Sequence, residues 1–184
     1  LAQARVMVRL EHPNVIKYYN VDQIDVAGDR HYFLLMEYLE GPRLSQLITQ
    51  HFRRADQPPL FDYLRIFYQI CRGMAYVHER RPLHDDLHSD NIIVTGDPEL
   101  PVPKLFDFYG SFGANRPDRR TFDLRCAGQV LFEMMTGEDT YRPALLEQLP
   151  MEVAEIIRRC HARVHRYRTF REILDDLEAM RHWD

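Results

Sequence analysis

Apolar positions recur at steps of three and four through Leu60, Leu64, Phe67, Cys71 and Met74, and His78 continues the stripe. That period predicts a long amphipathic helix with one face on a core. Residues 122–136 are apolar around most of the helical circumference, which predicts a helix buried on all sides, and Gly137 follows as its C-cap. Residues 151–161 and 169–183 carry the helical period with one polar face. Near the start, Val6, Met7 and Leu10 close a helix over 2–10, and His12-Pro13-Asn14 stops it, because the residue before proline is pushed out of the α region. Residues 15–23 and 31–38 read as strands joined by a turn at Ala27-Gly28-Asp29. A second, shorter hairpin is predicted from Asn91-Ile92-Ile93-Val94, the turn Gly96-Asp97-Pro98 and Pro103-Lys104-Leu105-Phe106. Glu40-Gly41-Pro42 breaks the pattern before a short helix over 44–50, while 53–59 and 111–121 are polar, hold proline or glycine and read as loops. The order is helix, two strands, then helices with one inserted hairpin, an α+β arrangement.

Composition narrows the picture. The 184 residues are 45% hydrophobic, enough for one domain with a core. A net charge of −4 argues against a nucleic-acid binder or an anionic-membrane binder. The three cysteines, Cys71, Cys126 and Cys160, are odd in number and widely spaced, as expected of a reduced, cytoplasmic protein rather than a disulfide framework. No apolar run reaches the roughly 20 residues that span a bilayer. Leu1 in place of an initiator methionine implies part of a larger polypeptide.

Chemistry concentrates in His84-Asp85-Asp86-Leu87-His88-Ser89-Asp90-Asn91 and in Asp107-Phe108-Tyr109. The predicted short hairpin brings Asp107 back beside the loop that holds Asp86 and Asn91. One carboxylate there can accept the proton of an attacking hydroxyl. An amide and a second carboxylate, both hard oxygen donors, can hold Mg²⁺ on the phosphates of a nucleotide. The plain alternative is a solvated turn whose side chains cap backbone groups.

These motifs resemble the catalytic and magnesium loops of Hanks-type (eukaryotic-like) Ser/Thr protein kinases, written His-Arg-Asp-Leu-x-x-x-Asn and Asp-Phe-Gly. Further stretches fall in the family's order. His12-Pro13-Asn14-Val15-Ile16-Lys17 is similar to the link after the first long helix, and Phe33-Leu34-Leu35-Met36-Glu37-Tyr38-Leu39-Glu40-Gly41 to the fifth strand and hinge. Asp123-Leu124-Arg125-Cys126-Ala127-Gly128, continued to Gly137, resembles the buried helix that anchors the large lobe. The resemblance implies a kinase-like fold with a remnant small lobe over 1–40 and a mostly helical large lobe over 41–184. It implies ATP and Mg²⁺ as cofactors and a protein hydroxyl as phosphoryl acceptor. Asp86 and His88 would be catalytic, Asn91 and Asp107 the metal ligands. Adenine would meet the backbone of Glu37 and Leu39, with Met36 guarding the back pocket and Ile93 beneath the ring. His84 and Phe108 would stack with Met7 and Tyr18, and Asp123 would hold the catalytic loop from below.

The departures are specific. The chain begins after the place of the Gly-rich phosphate loop and its lysine, and Gln3 stands where the family has that lysine's glutamate partner. Asp85 replaces the arginine that receives a phosphorylated activation loop, and His88 replaces a lysine. Tyr109 replaces a glycine, and no Ala-Pro-Glu follows. Two alternatives therefore stand beside the enzyme: a pseudokinase acting as a binding or regulatory module, and a small-molecule kinase of the aminoglycoside type. Arg158, Arg159, Arg163, Arg166, Arg168 and Arg171, with His161 and His165, form a basic stretch that reads as a solvated face. Cys160, His161 and His165 lack a second ligand pair suited to zinc.

Overall fold

The computed structural model describes residues 4–54, 60–80, 82–108 and 117–180. Helix α1 spans Ala4–Met7, and two i to i+3 bonds, Arg9 N to Val6 O and Leu10 N to Met7 O, tighten its exit. Strands β1 (Tyr18–Val26) and β2 (Asp29–Met36) pair antiparallel with Val26 opposite Asp29. The two turn residues, Ala27 (φ 53°) and Gly28 (φ 91°), both lie in the left-handed region, as a two-residue hairpin loop matched to strand twist requires. The turn falls where the sequence predicts it. The strands begin and end a few residues away from the predicted bounds.

Helix α2 (Leu44–Arg53) runs a little further than expected, and α3 (Leu60–Glu79) follows the predicted stripe. Leu64, Phe67, Cys71, Met74 and His78 are all buried. The short hairpin pairs β3 (Ile92–Thr95) with β4 (Val102–Leu105), Ile92 opposite Leu105. Both of its edges are covered. Ile16 N–H donates to Leu105 O and Leu105 N–H to Asn14 O, each at 2.9 Å, so the link after α1 lies along β4. On the other side Val94 N–H donates to Pro42 O at 2.9 Å. Covering both edges removes the unpaired N–H and C=O groups that make an edge strand a template for other chains.

The third long element is α4 (Pro117–Thr136), which begins earlier than the predicted residue 122. Its first turn is polar, so hydrophobic period cannot detect it; Pro117 is nevertheless compatible with a first helical position, where its missing N–H costs nothing. Leu124, Ala127, Val130, Leu131, Phe132, Met134 and Met135 are buried around the helix, as an all-round apolar pattern predicts. Gly137 closes it at φ 73°, its N–H donating to Glu133 O at 2.8 Å. A 3₁₀ turn over Pro143–Gln148, invisible to periodicity, leads into α5 (Met151–His161) and then α6 (Phe170–Ala179), whose Thr169 N-cap accepts from Glu172 N–H. At Gly128 a Cβ would stand 2.3 Å from Cys160 Cβ, so α4 and α5 meet where only glycine fits. Trp183, at the end of the predicted last helix, lies outside the described residues, as do Gln3, Tyr109 and most of the two predicted loops.

Among the described residues no helix is long and apolar enough to cross a membrane. The three cysteines are free, and burial raises their thiol pKa values, Cys126 to about 12, which keeps them protonated. His161 lies flat on Tyr141 with ring centroids 3.9 Å apart, a packing role. In the basic stretch, Arg159 pairs with Asp176 and covers the Tyr167 ring, while Arg163, Arg166, Arg168 and Arg171 are exposed.

Candidate active site

The loop between α3 and β3 is held by a single carboxylate. Asp123, in the buried helix α4 and 0% exposed, accepts from His84 N–H (3.0 Å), Asp85 N–H (2.8 Å) and His78 Nε2 (2.8 Å). A buried charge is tolerable only when several donors replace water, and here three do. Above it the His84 ring, itself fully buried, sits 4.4 Å from the Phe108 ring. Both ring nitrogens of His84 are buried without a hydrogen-bond partner, and burial lowers its pKa to about 4, so the ring is neutral. Tyr18 and Met7 are buried in the same core. The Tyr18 hydroxyl is pushed up to about 12 by burial, against hydrogen bonds to the backbone of Phe108 and Asp107. Of the four side chains expected to stack, His84 and Phe108 meet ring to ring, and Tyr18 reaches the backbone that carries Asp107.

Asp86 leads into a 3₁₀ turn over Ser89–Asn91. Asn91, 5% exposed, points its amide nitrogen at Asp86 O (3.0 Å), Asp86 Oδ2 (3.3 Å) and His88 Nε2 (2.9 Å). An amide nitrogen only donates, so the His88 nitrogen that receives it is the unprotonated one. His88 Nε2 also lies 3.6 Å from Asp86 Oδ2. With Nδ2 committed to this side, Oδ1 of Asn91 is turned the other way. Phe106 N–H donates to Asn91 O at 3.1 Å, which brings the chain leading to Asp107 against Asn91. Asp107 is exposed and adopts φ 60°, an uncommon conformation for a non-glycine residue. Below the loop, Ser89 hydrogen-bonds the Glu133 carboxyl, whose pKa is raised by burial.

The predicted hinge is tied back to the link before β1: Glu37 N–H donates to Lys17 O at 2.9 Å. The Glu37 carboxylate accepts from Lys17 N–H (2.7 Å) and from Lys104 Nζ (2.8 Å), tying the hinge to β4. Gly41 (φ 155°) follows; a Cβ there would stand 2.2 Å from Val94 O and 3.5 Å from Ile93 Cγ2. Only glycine allows the chain after Leu39 to lie directly on β3. Ile93 and Leu39 are half-buried, whereas Met36 is 45% exposed.

Sequence reasoning names Asp86, His88, Asn91 and Asp107, and the structure joins the first three by hydrogen bonds or close contact and brings the fourth alongside through its backbone. It misses Lys104 and Arg119, which pairs with Asp85. The only sequence signal for either was a charge opposite to that of its partner. Among the described residues no three His, Cys, Asp or Glu side chains cluster to hold a metal ion.

A family model described as the protein kinase domain matches residues 1–122. The chain is 25% identical over 173 residues to the serine/threonine-protein kinase atg1 of Dictyostelium discoideum, covering 80% of this chain and 25% of the relative. It is 34% identical over 186 residues to the dual specificity protein kinase splA of the same organism, covering 82% of this chain and 7% of splA. It thus spans a quarter or less of the length of these relatives. In fold it matches the kinase domain of PknI from Mycobacterium tuberculosis, with a TM-score of 0.75 and 18% identity over 97% of this chain and 76% of that domain.

Proposed function

The chain belongs to the protein kinase family, and from that membership we propose that it supplies the phosphotransfer loop of a Ser/Thr protein kinase within a longer polypeptide. The observation that carries the reading is the Asn91 amide, which clasps both the carbonyl and the carboxylate of Asp86. One hydrogen-bonded unit thereby holds the group that takes a proton and a group that binds a cation.

In this reading Asp86 orients the acceptor hydroxyl and takes its proton as the oxygen forms a bond to the γ-phosphorus; the bond to the ADP oxygen breaks. Asn91 Oδ1 and the exposed Asp107 carboxylate fit Mg²⁺, hard oxygens on a loop whose other donors are already committed. When bound, Mg²⁺ supplies charge neutralisation on the phosphates. His88, beside both Asp86 and Asn91, fixes the amide rotamer and lies at the edge of the transfer site. Adenine meets the Glu37 carbonyl and the Leu39 backbone, with Ile93 below. These 184 residues hold neither the Gly-rich phosphate loop of the family pattern nor the lysine that accompanies it. The isolated chain accordingly binds Mg-ATP weakly, because the phosphates lack those contacts.

The test is phosphate transfer to a protein substrate by the full-length polypeptide. Asp86→Asn is expected to lower kcat by about 10²- to 10⁴-fold. Transfer at an unchanged rate, or none with any divalent cation, would leave the binding-module reading in place. Low-micromolar Mg-ATP affinity of the isolated chain by calorimetry would contradict the weak binding expected of it.

A further inference from the structure

Asp85 adjoins the proposed base and sits at φ 65°, a left-handed conformation uncommon for a non-glycine residue. Such a residue persists only where its surroundings over-determine it. Two contacts from α4 do so. The Asp85 N–H donates to Asp123 Oδ1 at 2.8 Å, and the Asp85 carboxylate pairs with Arg119. The Asp85 side chain is 15% exposed and that of Arg119 30%, so water screens this pair less than an ordinary surface pair.

Arg119 and Arg120 both lie in the first turn of α4, where the helix dipole disfavours cations. Each is compensated from outside the helix. Arg119 meets Asp85, and Arg120 donates to His78 O at 3.0 Å, near the C-terminal end of α3, where helical carbonyls lack partners and the dipole is negative. Two cations at the unfavourable end of a helix thus fasten that end to the loop at Asp85 and to the end of α3 before it.

The geometry points to Asp85 and Arg119 as a positioning pair, resting on the phosphotransfer reading above: together they set Asp86 by fixing the backbone of its neighbour, with charges already in the chain. An anion arriving at this point meets a carboxylate, and the guanidinium that would receive it is already matched. The site is therefore assembled without a phosphate group on the chain between Asp107 and Arg119.

The experiment compares kcat and the KM for ATP in the full-length polypeptide and its Asp85→Ala, Arg119→Ala, Asp85→Arg and Asp85→Arg/Arg119→Asp variants. Each single change is expected to lower kcat about 10- to 100-fold, the usual result of misplacing a reacting group, with KM within about twofold. The double exchange is expected to recover at least about tenfold over Asp85→Arg, and phosphatase treatment to leave the unmodified protein within about twofold. Single variants with full kcat, an exchange no better than Asp85→Arg, or activity abolished by phosphatase would overturn the proposal. If no form transfers phosphate, the functional reading fails by itself, and the pair is judged by amide hydrogen exchange at residue 85 in the same variants. There Arg119→Ala must speed exchange about tenfold while Arg119→Lys preserves protection. Unchanged exchange in Arg119→Ala overturns the pair as a positioning device.

Discussion

The described residues form two hairpins that obey the same local rules and meet opposite surroundings. The long one, β1–β2, has a well-formed turn and an unbroken register from Asn20–Leu35 to Val26–Asp29, with one irregularity between Tyr18 and Asn20, yet Ile24, Val26, Tyr32, Phe33, Leu35 and Met36 are each about half exposed. The short one, β3–β4, pairs four residues with four, but Ile92 and Leu105 are fully buried, and Asn14 and Pro42 cover its edges. The candidate chemistry hangs on the short one. Length and regular pairing say little about which hairpin is fixed; burial of its sides and edges decides.

The largest expected effect is on the loop that feeds the short hairpin. Asp123→Ala leaves one buried and one partly buried N–H group and His78 without their acceptor and should destabilise the chain by about 3–5 kcal/mol in urea titration. Next, Leu105→Ala should cost about 3 kcal/mol by the same measurement, the usual range for a fully buried leucine. An effect below about 1 kcal/mol would show that the β3–β4 core is not rigid.

Acid should weaken the same region by a smaller amount. His84 titrates near 4 when folded and near 6.5 when unfolded, so the unfolded chain binds the extra proton first. Its contribution is fully present above about pH 6.5 and is lost as pH falls toward 4, about 2 kcal/mol between pH 7 and 5. His161, lowered to about 4 chiefly by burial, acts in the same window. A His84→Phe variant with an equally steep pH dependence would contradict the assignment to His84.

On the long hairpin the expected effects are the smallest. Ala27→Gly relieves a left-handed alanine and should stabilise by about 0.5 kcal/mol after the added backbone entropy is subtracted. Tyr32→Thr, at a position 58% exposed, should change stability by less than about 0.5 kcal/mol. A loss of 2 kcal/mol or more at Tyr32 would erase the contrast between the hairpins.

This contrast also marks what the sequence discloses. Helices α3 and α5, the turn at Ala27-Gly28 and the cap at Gly137 follow from period and residue type, since each is a local decision. Asp86 and Asn91 are legible because their stretch resembles the catalytic-loop motif of protein kinases, which loop length and residue type alone would not have told from a solvated turn. The start of α4 is not, because its first turn is polar and its anchors, Asp85 and His78 O, are distant in sequence. Lys104 and Glu37 are likewise ordinary surface charges until β4 is laid beside the hinge. The exposure of Met36, expected at the back of a pocket, reflects the open faces of β1–β2, which no strand-length pattern reveals.

The strand-like link at Asn14 carries a consequence for biosynthesis. Asn14 Nδ2 reaches Pro103 O, a partner 89 residues downstream. At synthesis rates of roughly 5–20 residues per second that partner emerges roughly 4–18 s later. Through that interval Val15 and Ile16, buried in the finished fold, lack the strand that pairs with their backbone. A nascent chain paused before Leu105 should therefore bind holdase chaperones through this link and release them once β4 has left the ribosome.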